Sequence, residues 1–136
     1  MRSTNSLYLL ILVPLVLFAC SGCGKRQDHL APVHGTIFFH KEPLKGGTIV
    51  FSPDADRGGH GPMARAEIKP DGTYTLSTGP DNGCVPGWHR ITIMGSEQAT
   101  QGTPLALPRK FCDPEMSGLS REVKTGEDNT IDLYLN

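Results

Sequence analysis

From residue 33 to residue 135 the chain runs as short stretches in which apolar and polar side chains alternate, each cut by turn residues. An extended strand points successive side chains to opposite faces, so this period of two describes strands with one buried and one wet face. Helix bundles and coiled coils are excluded. Short strands of this kind hide their apolar faces by stacking as two layers, and the expectation is an antiparallel β-sandwich. Gly 16 and Pro 11 make up about a fifth of the 136 residues, as closely spaced turns require.

The faces are read directly. Val33, Ile37 and Phe39 point one way, with His34, Thr36 and His40 opposite; Lys41-Glu42 turns the chain and Pro43 keeps the next entry out of helix. Thr48 to Ser52 forms a second strand. After a Gly-rich loop over 54–62, Ala64, Ala66 and Ile68 alternate with Met63, Arg65 and Glu67. Pro70-Asp71-Gly72 predicts a hairpin turn, since Gly tolerates the positive φ of a tight reversal. Tyr74 and Leu76 then face inward, followed by a loop from Thr78 to Gly87. Ile91 and Ile93 face inward on the next strand, with Arg90 and Thr92 outward. The segment 96–118 has no period, carries Pro104, Pro108 and Pro114, and is expected to cross the surface. Runs 121–124 and 131–135 are expected to close the domain as a last hairpin around Gly126 to Asn129.

The first residues have a different character. Arg2 precedes twelve apolar residues, Leu7 to Phe18. As a helix these span about 18 Å, short of a roughly 30 Å hydrocarbon core. They suit the apolar region of an export signal better than a spanning helix. Leu17-Phe18-Ala19-Cys20, with a second copy at Ser21-Gly22-Cys23, resembles the lipobox of bacterial lipoproteins, in which the cysteine becomes the lipidated first residue. Cys20 has the aliphatic residue expected three places upstream and is preferred; Cys23 is the alternative. The division expected is a signal peptide over 1–19, a lipidated Cys with polar tether over 20–32, and a β-sandwich over 33–136. Several acyl chains would moor such a domain to a bilayer, at about 0.8 kcal/mol per buried CH₂. Neither Ser21 nor Gly24 is the aspartate that marks inner-membrane retention in some bacteria, which favours the outer membrane.

Three further stretches occur in order: Gly35-Thr36-Ile37 through Pro43-Leu44-Lys45-Gly46-Gly47-Thr48-Ile49-Val50-Phe51, Asp71-Gly72-Thr73-Tyr74-Thr75-Leu76, and Val85-Pro86-Gly87-Trp88-His89-Arg90-Ile91-Thr92-Ile93. Together they resemble the carboxypeptidase regulatory-like (transthyretin-like) domain, in the form of a short single-domain bacterial lipoprotein. Leu107-Pro108-Arg109-Lys110-Phe111 and Ser117-Gly118-Leu119 continue the likeness. Gly47 replaces the usual Ala, and Trp88-His89 stands where the pattern has x-Tyr. The resemblance implies an Ig-like, prealbumin-type Greek-key sandwich of about seven strands, without catalytic residues.

Side chains with chemical potential are few. Lys and Arg total 13 against 14 Asp and Glu, with no basic block, so nucleic acid is not an expected partner. His34 and His40 lie six residues apart on one strand face, about 20 Å, too far to share a metal. Asp54, Asp56 and His60 form a weak metal candidate in the Gly-rich loop, lacking the further oxygen ligands of a calcium site. No Gly-x-Ser-x-Gly occurs, and Cys112 beside Asp113 has no evident base, so no catalytic set and no cofactor are expected. Cys84 and Cys112 are candidates for a bridge in an oxidising compartment, worth about 3–4 kcal/mol. Trp88, beside Arg90, is either a corner plug or a platform for a sugar or peptide. The function expected is therefore a lipid-anchored envelope module with a non-catalytic binding or structural role. Its partner would be an envelope protein or glycan, met at a loop or a sheet edge. The alternatives are an exported carbohydrate- or peptide-binding module and a small metal-dependent or thiol enzyme.

Overall fold

The computed structural model describes residues 29–95 and 107–136; the expected leader, Cys20, Cys23, most of the tether and residues 96–106 lie outside the described part. Eleven strand segments follow along the chain: β1 (Val33–Phe39), β2 (Glu42–Pro43), β3 (Thr48–Pro53), β4 (Ala64–Glu67), β5 (Thr73–Thr75), β6 (Ser77–Thr78), β7 (Asp81–Asn82), β8 (Gly87–Met94), β9 (Ser120–Val123), β10 (Asn129–Thr130) and β11 (Leu133–Leu135). They form two sheets, and the fold is an all-β sandwich.

One sheet is antiparallel throughout, in the order β7-β6-β4-β3-β8-β9. The other is organised around β1. On one side β1 takes β5 and β2 antiparallel; on the other it takes β10 and β11 parallel. Ile49, Phe51, Ile91 and Ile93 from the first sheet meet Val33, Ile37, Tyr74, Leu133 and Leu135 from the second, all buried. Every residue assigned inward from the alternation is buried.

Three expectations about connection are corrected. Asp71-Gly72 does reverse the chain, with Gly72 at φ 82° and Lys69 N donating to Thr73 O at 2.9 Å. The two runs it joins nevertheless lie in different sheets: β5 pairs with β1, and only β6, beyond Leu76, returns to β4. The run after Tyr74 thus crosses the sandwich instead of completing a hairpin, and the loop expected from Thr78 contains the small β6–β7 hairpin. The closing hairpin is also absent. β9 pairs with β8, whereas β10 and β11 cross to β1 and run parallel to it, so the fold is not purely antiparallel. Alternation says which face of a strand is buried but not which sheet the strand joins. Finally, the described part of the 96–118 segment does not merely cross the surface: a 3₁₀ turn, Arg109–Cys112, buries Phe111 in the core.

The parallel pairing is interrupted at Ile131 and Asp132, yet its register survives. Val33 faces Asn129 before the gap and Ile37 faces Leu133 after it, the same offset. Asp132 Oδ1 accepts from Thr36 N at 2.8 Å, a side chain standing in for a main-chain acceptor. The Ile131 carbonyl turns inward and accepts from the buried Tyr74 hydroxyl at 2.7 Å. Gly35 makes room for it, since a Cβ there would lie 1.9 Å from that oxygen.

Two substitutions test this joint by urea unfolding. Gly35→Ala is expected to lose roughly 3 kcal/mol or more, at the upper end of overpacking, because its neighbour is backbone. Tyr74→Phe strands a buried carbonyl and is expected to lose about 1–3 kcal/mol. Unchanged midpoints in both would refute the account.

Candidate functional site

An open groove of about 550 Å³ lies on the first sheet, lined by Asp54, Asp56, Arg57, Arg90, Pro114, Glu115, Gly118, Leu119 and Ser120. Its floor is built by the loop after β3. Asp54 N donates to Trp88 O at 2.8 Å, and the Asp54 carbonyl accepts from Arg57 N at 3.0 Å and Gly59 N at 2.8 Å. A Cβ on Gly59 would fall 2.6 Å from Asp54 N, so glycine permits this close return. The loop curls into the 3₁₀ turn Ala55–Arg57, and its side-chain cap is Asp54, whose Oδ1 accepts from Asp56 N at 3.2 Å.

The charges in this groove satisfy one another. Asp54 is buried, with Arg90 Nε 3.2 Å from Oδ1 and Arg57 Nε 3.5 Å from Oδ2. Arg90 also binds Asp56 and reaches Glu115 at 3.8 Å. The hydrogen bond to Asp56, followed by the Asp54 charge, raises the Arg90 pKa above its ordinary value. Arg57 lies over the Trp88 ring, 4.3 Å from its centroid, and donates to Ser120 Oγ at 3.3 Å. Of the residues singled out in the sequence, Asp54, Asp56, Trp88 and Arg90 therefore do come together, but as an ion-pair network. The Asp54 and Asp56 carboxylates are held by arginines, and Trp88 is half-buried with Arg57 over its ring. His60 is not part of the network; its Nδ1 lies 3.2 Å from Gly58 O. Among the described residues no three His, Cys, Asp or Glu side chains converge as a metal site.

The two cysteines are not bridged. Both are free thiols, Cys84 buried and Cys112 exposed. Cys84 lies 3.3 Å from His89, near the start of β8, while Cys112 donates to Ile93 O at 3.4 Å, four residues further along that strand. That is roughly 13 Å of strand, well beyond the reach of a disulfide.

Sequence reasoning missed two constellations. The first is the buried Cys84–His89 pair. His89 Nδ1 is 2.9 Å from the Gly87 carbonyl, which can only accept, so Nδ1 carries the proton and Nε2 accepts from the Cys84 thiol. Burial lowers the His89 pKa and pushes the Cys84 thiol up to about 12, so both stay neutral. A neutral thiol sealed in the core is a hydrogen-bond donor, not a nucleophile. The signal was present: His89 shares the parity of Ile91 and Ile93. The second lies on the outer face of the β1 sheet, where His34 Nδ1 is 3.2 Å from Asp128 Oδ1 and His34 Nε2 is 3.2 Å from Thr130 Oγ1. The order carboxylate, imidazole, hydroxyl is that of a hydrolase triad. Here it sits on an exposed strand face outside the groove, and its evident effect is to tie β10 to β1.

Comparison of the chain with protein-family models, with curated proteins and with solved structures finds no match.

Alkylation read peptide by peptide is expected to modify Cys112 in the native protein and Cys84 only after unfolding; equal labelling of both would refute the buried pair. The pair also shapes stability against pH. The unfolded chain protonates His89 below about pH 6.5 while the folded one resists, so stability is lost as pH falls below that value. Above about pH 9 the unfolded chain ionises Cys84 first, so stability is lost again as pH rises towards 12. Thermal midpoints should be highest between these limits, with the acid slope reduced in a His89→Asn chain; an acid slope unchanged by that substitution would count against this role.

Proposed function

We propose that the chain is a lipid-anchored β-sandwich of the bacterial cell envelope, with a binding or structural role and no chemistry of its own. The observation that carries the reading is the order of parts: an apolar run over 7–18, a cysteine behind a small residue at position 20, a polar stretch, and strand pairing from Ala31 onward, where Ala31 bridges to Cys84. A stretch of eleven residues, such as 20–30, has a maximum reach of roughly 35 Å, enough to hold the domain clear of head groups.

Membership of the carboxypeptidase regulatory-like class belongs to this proposal. It is supported by where the resembling residues fall. Leu44 is buried after β2, Gly72 makes its turn, and Gly35 and Tyr74 meet at the Ile131 carbonyl. These are packing positions, which suits a scaffold. The groove supports the same reading, because its arginines are already paired with carboxylates of the chain itself. Contact with an envelope protein or glycan then falls to loops and sheet edges, and the outer membrane is the proposed location.

Mass spectrometry of detergent-extracted full-length protein tests the anchor. The expected first residue is Cys20 bearing a thioether-linked diacylglyceryl group and an amide-linked acyl chain, and Cys20→Ser should move the chain out of the membrane fraction. Lipid on Cys23 would keep the anchor and shift its site. An unmodified amino terminus would overturn the reading.

A further inference from the structure

We propose that a second copy of this chain adds to the sheet edge formed by β10 and β11, antiparallel and related by a two-fold axis that places Tyr134 opposite Tyr134 of the second copy. The inference stands on the folded domain and does not depend on the lipid anchor.

The hydrogen bonds of residues 129–135 define the edge. Asn129 N donates to Pro32 O at 2.9 Å, Ile131 N to His34 O at 2.8 Å, and Leu135 O accepts from His40 N at 3.3 Å. Odd-numbered residues thus face β1. The main-chain groups of Thr130 and Tyr134 point the other way, where no described main-chain group bonds to them, while the inward turn of the Ile131 carbonyl interrupts the edge at Asp132. An unpaired edge of this kind is a template for another strand.

The side chains indicate which strand. Phe38 and Tyr134 stack across β1 and β11 with centroids 5.0 Å apart and planes 7° from parallel. Stacking in the direction of strand pairing covers one face of Tyr134 and leaves the other towards the open edge, where the residue is 68% exposed. A second Tyr134 arriving from that side extends two stacked rings to four.

Charge selects the register. Centred on Tyr134, an antiparallel pair sets Asp132 opposite Asn136 of the second copy, a carboxylate against an amide. Centred on Asp132 it would oppose two carboxylates, and centred on Thr130 it would set Asp132 against Asp128. Like charges directly opposite are destabilising, so the Tyr134 register is the favoured self-pairing. Leu133 and Leu135 stay in the core throughout, and no rearrangement is needed.

Oxidative cross-linking of the purified full-length chain in detergent solution, read on non-reducing gels, tests this. The unsubstituted chain gives the background from its own cysteines. Tyr134→Cys is expected to yield a covalent homodimer several-fold above that background. Thr130→Cys, on the same edge but roughly 26 Å along the strands from Thr130 of the second copy in this register, should stay at background. Asp132→Cys and Asn136→Cys chains should join when expressed together and not when expressed singly. Background-level cross-linking of Tyr134→Cys overturns the proposal, as does an equal yield from Thr130→Cys.

Discussion

The domain depends on how its last strand docks beside its first. β10 and β11 flank β1 in parallel, a pairing between residues 96 positions apart in sequence, and the loop-closure entropy of such a contact has to be recovered from the packing it allows. The ladder is broken in its middle, where Ile131 turns its carbonyl inward. In an apolar interior that oxygen would be costly if left alone. Tyr74 supplies the donor, Gly35 the space, and Asp132 fills the acceptor position left open on the sheet side. Three residues from three strand regions therefore make one joint, and the register is the same on either side of it.

The same economy holds at the other buried polar groups. Among the described residues every buried side-chain nitrogen or oxygen has a hydrogen-bond partner. Asn129 accepts from Lys124 N at 2.8 Å and donates to the carbonyls of Pro32, Lys124 and Glu127, knitting the crossing from β9 to β10 onto the start of β1. Asp54 does comparable work for the loop after β3, and His89 with Cys84 for the turn before β8. Each fixes a connection that apolar contacts alone would leave underdetermined, since hydrophobic burial is non-directional.

This use of polar residues bears on function. Groups that could have formed a reactive centre are engaged in holding the sandwich together: the carboxylates by arginines, the buried thiol by an imidazole, His34 by Asp128 and Thr130. What the domain presents outward is an open groove of mutually satisfied charges, a stacked aromatic pair and a strand edge. Such a surface supports the proposal of a module that acts by contact and is presented on a tether.

The division between sequence and tertiary structure follows from the range of the forces involved. The sequence by itself determined the strand class, the inward residues of each run and the turn at Asp71-Gly72, because side-chain alternation and a glycine at positive φ are local properties, but not that Thr92, expected outward, would be buried as well. It also carried enough parity to place His89 in the core. It did not determine that the run after Asp71-Gly72 would switch sheets at Leu76, that 121–124 and 131–135 would part company, or that Cys84 would meet His89 and not Cys112. Nor did it show Asp54, Arg57, Trp88 and Arg90 as one network. Those outcomes depend on which sheet each strand joins, and that choice is made by the packing of residues far apart in the chain, with a common core and a common set of hydrogen bonds to satisfy.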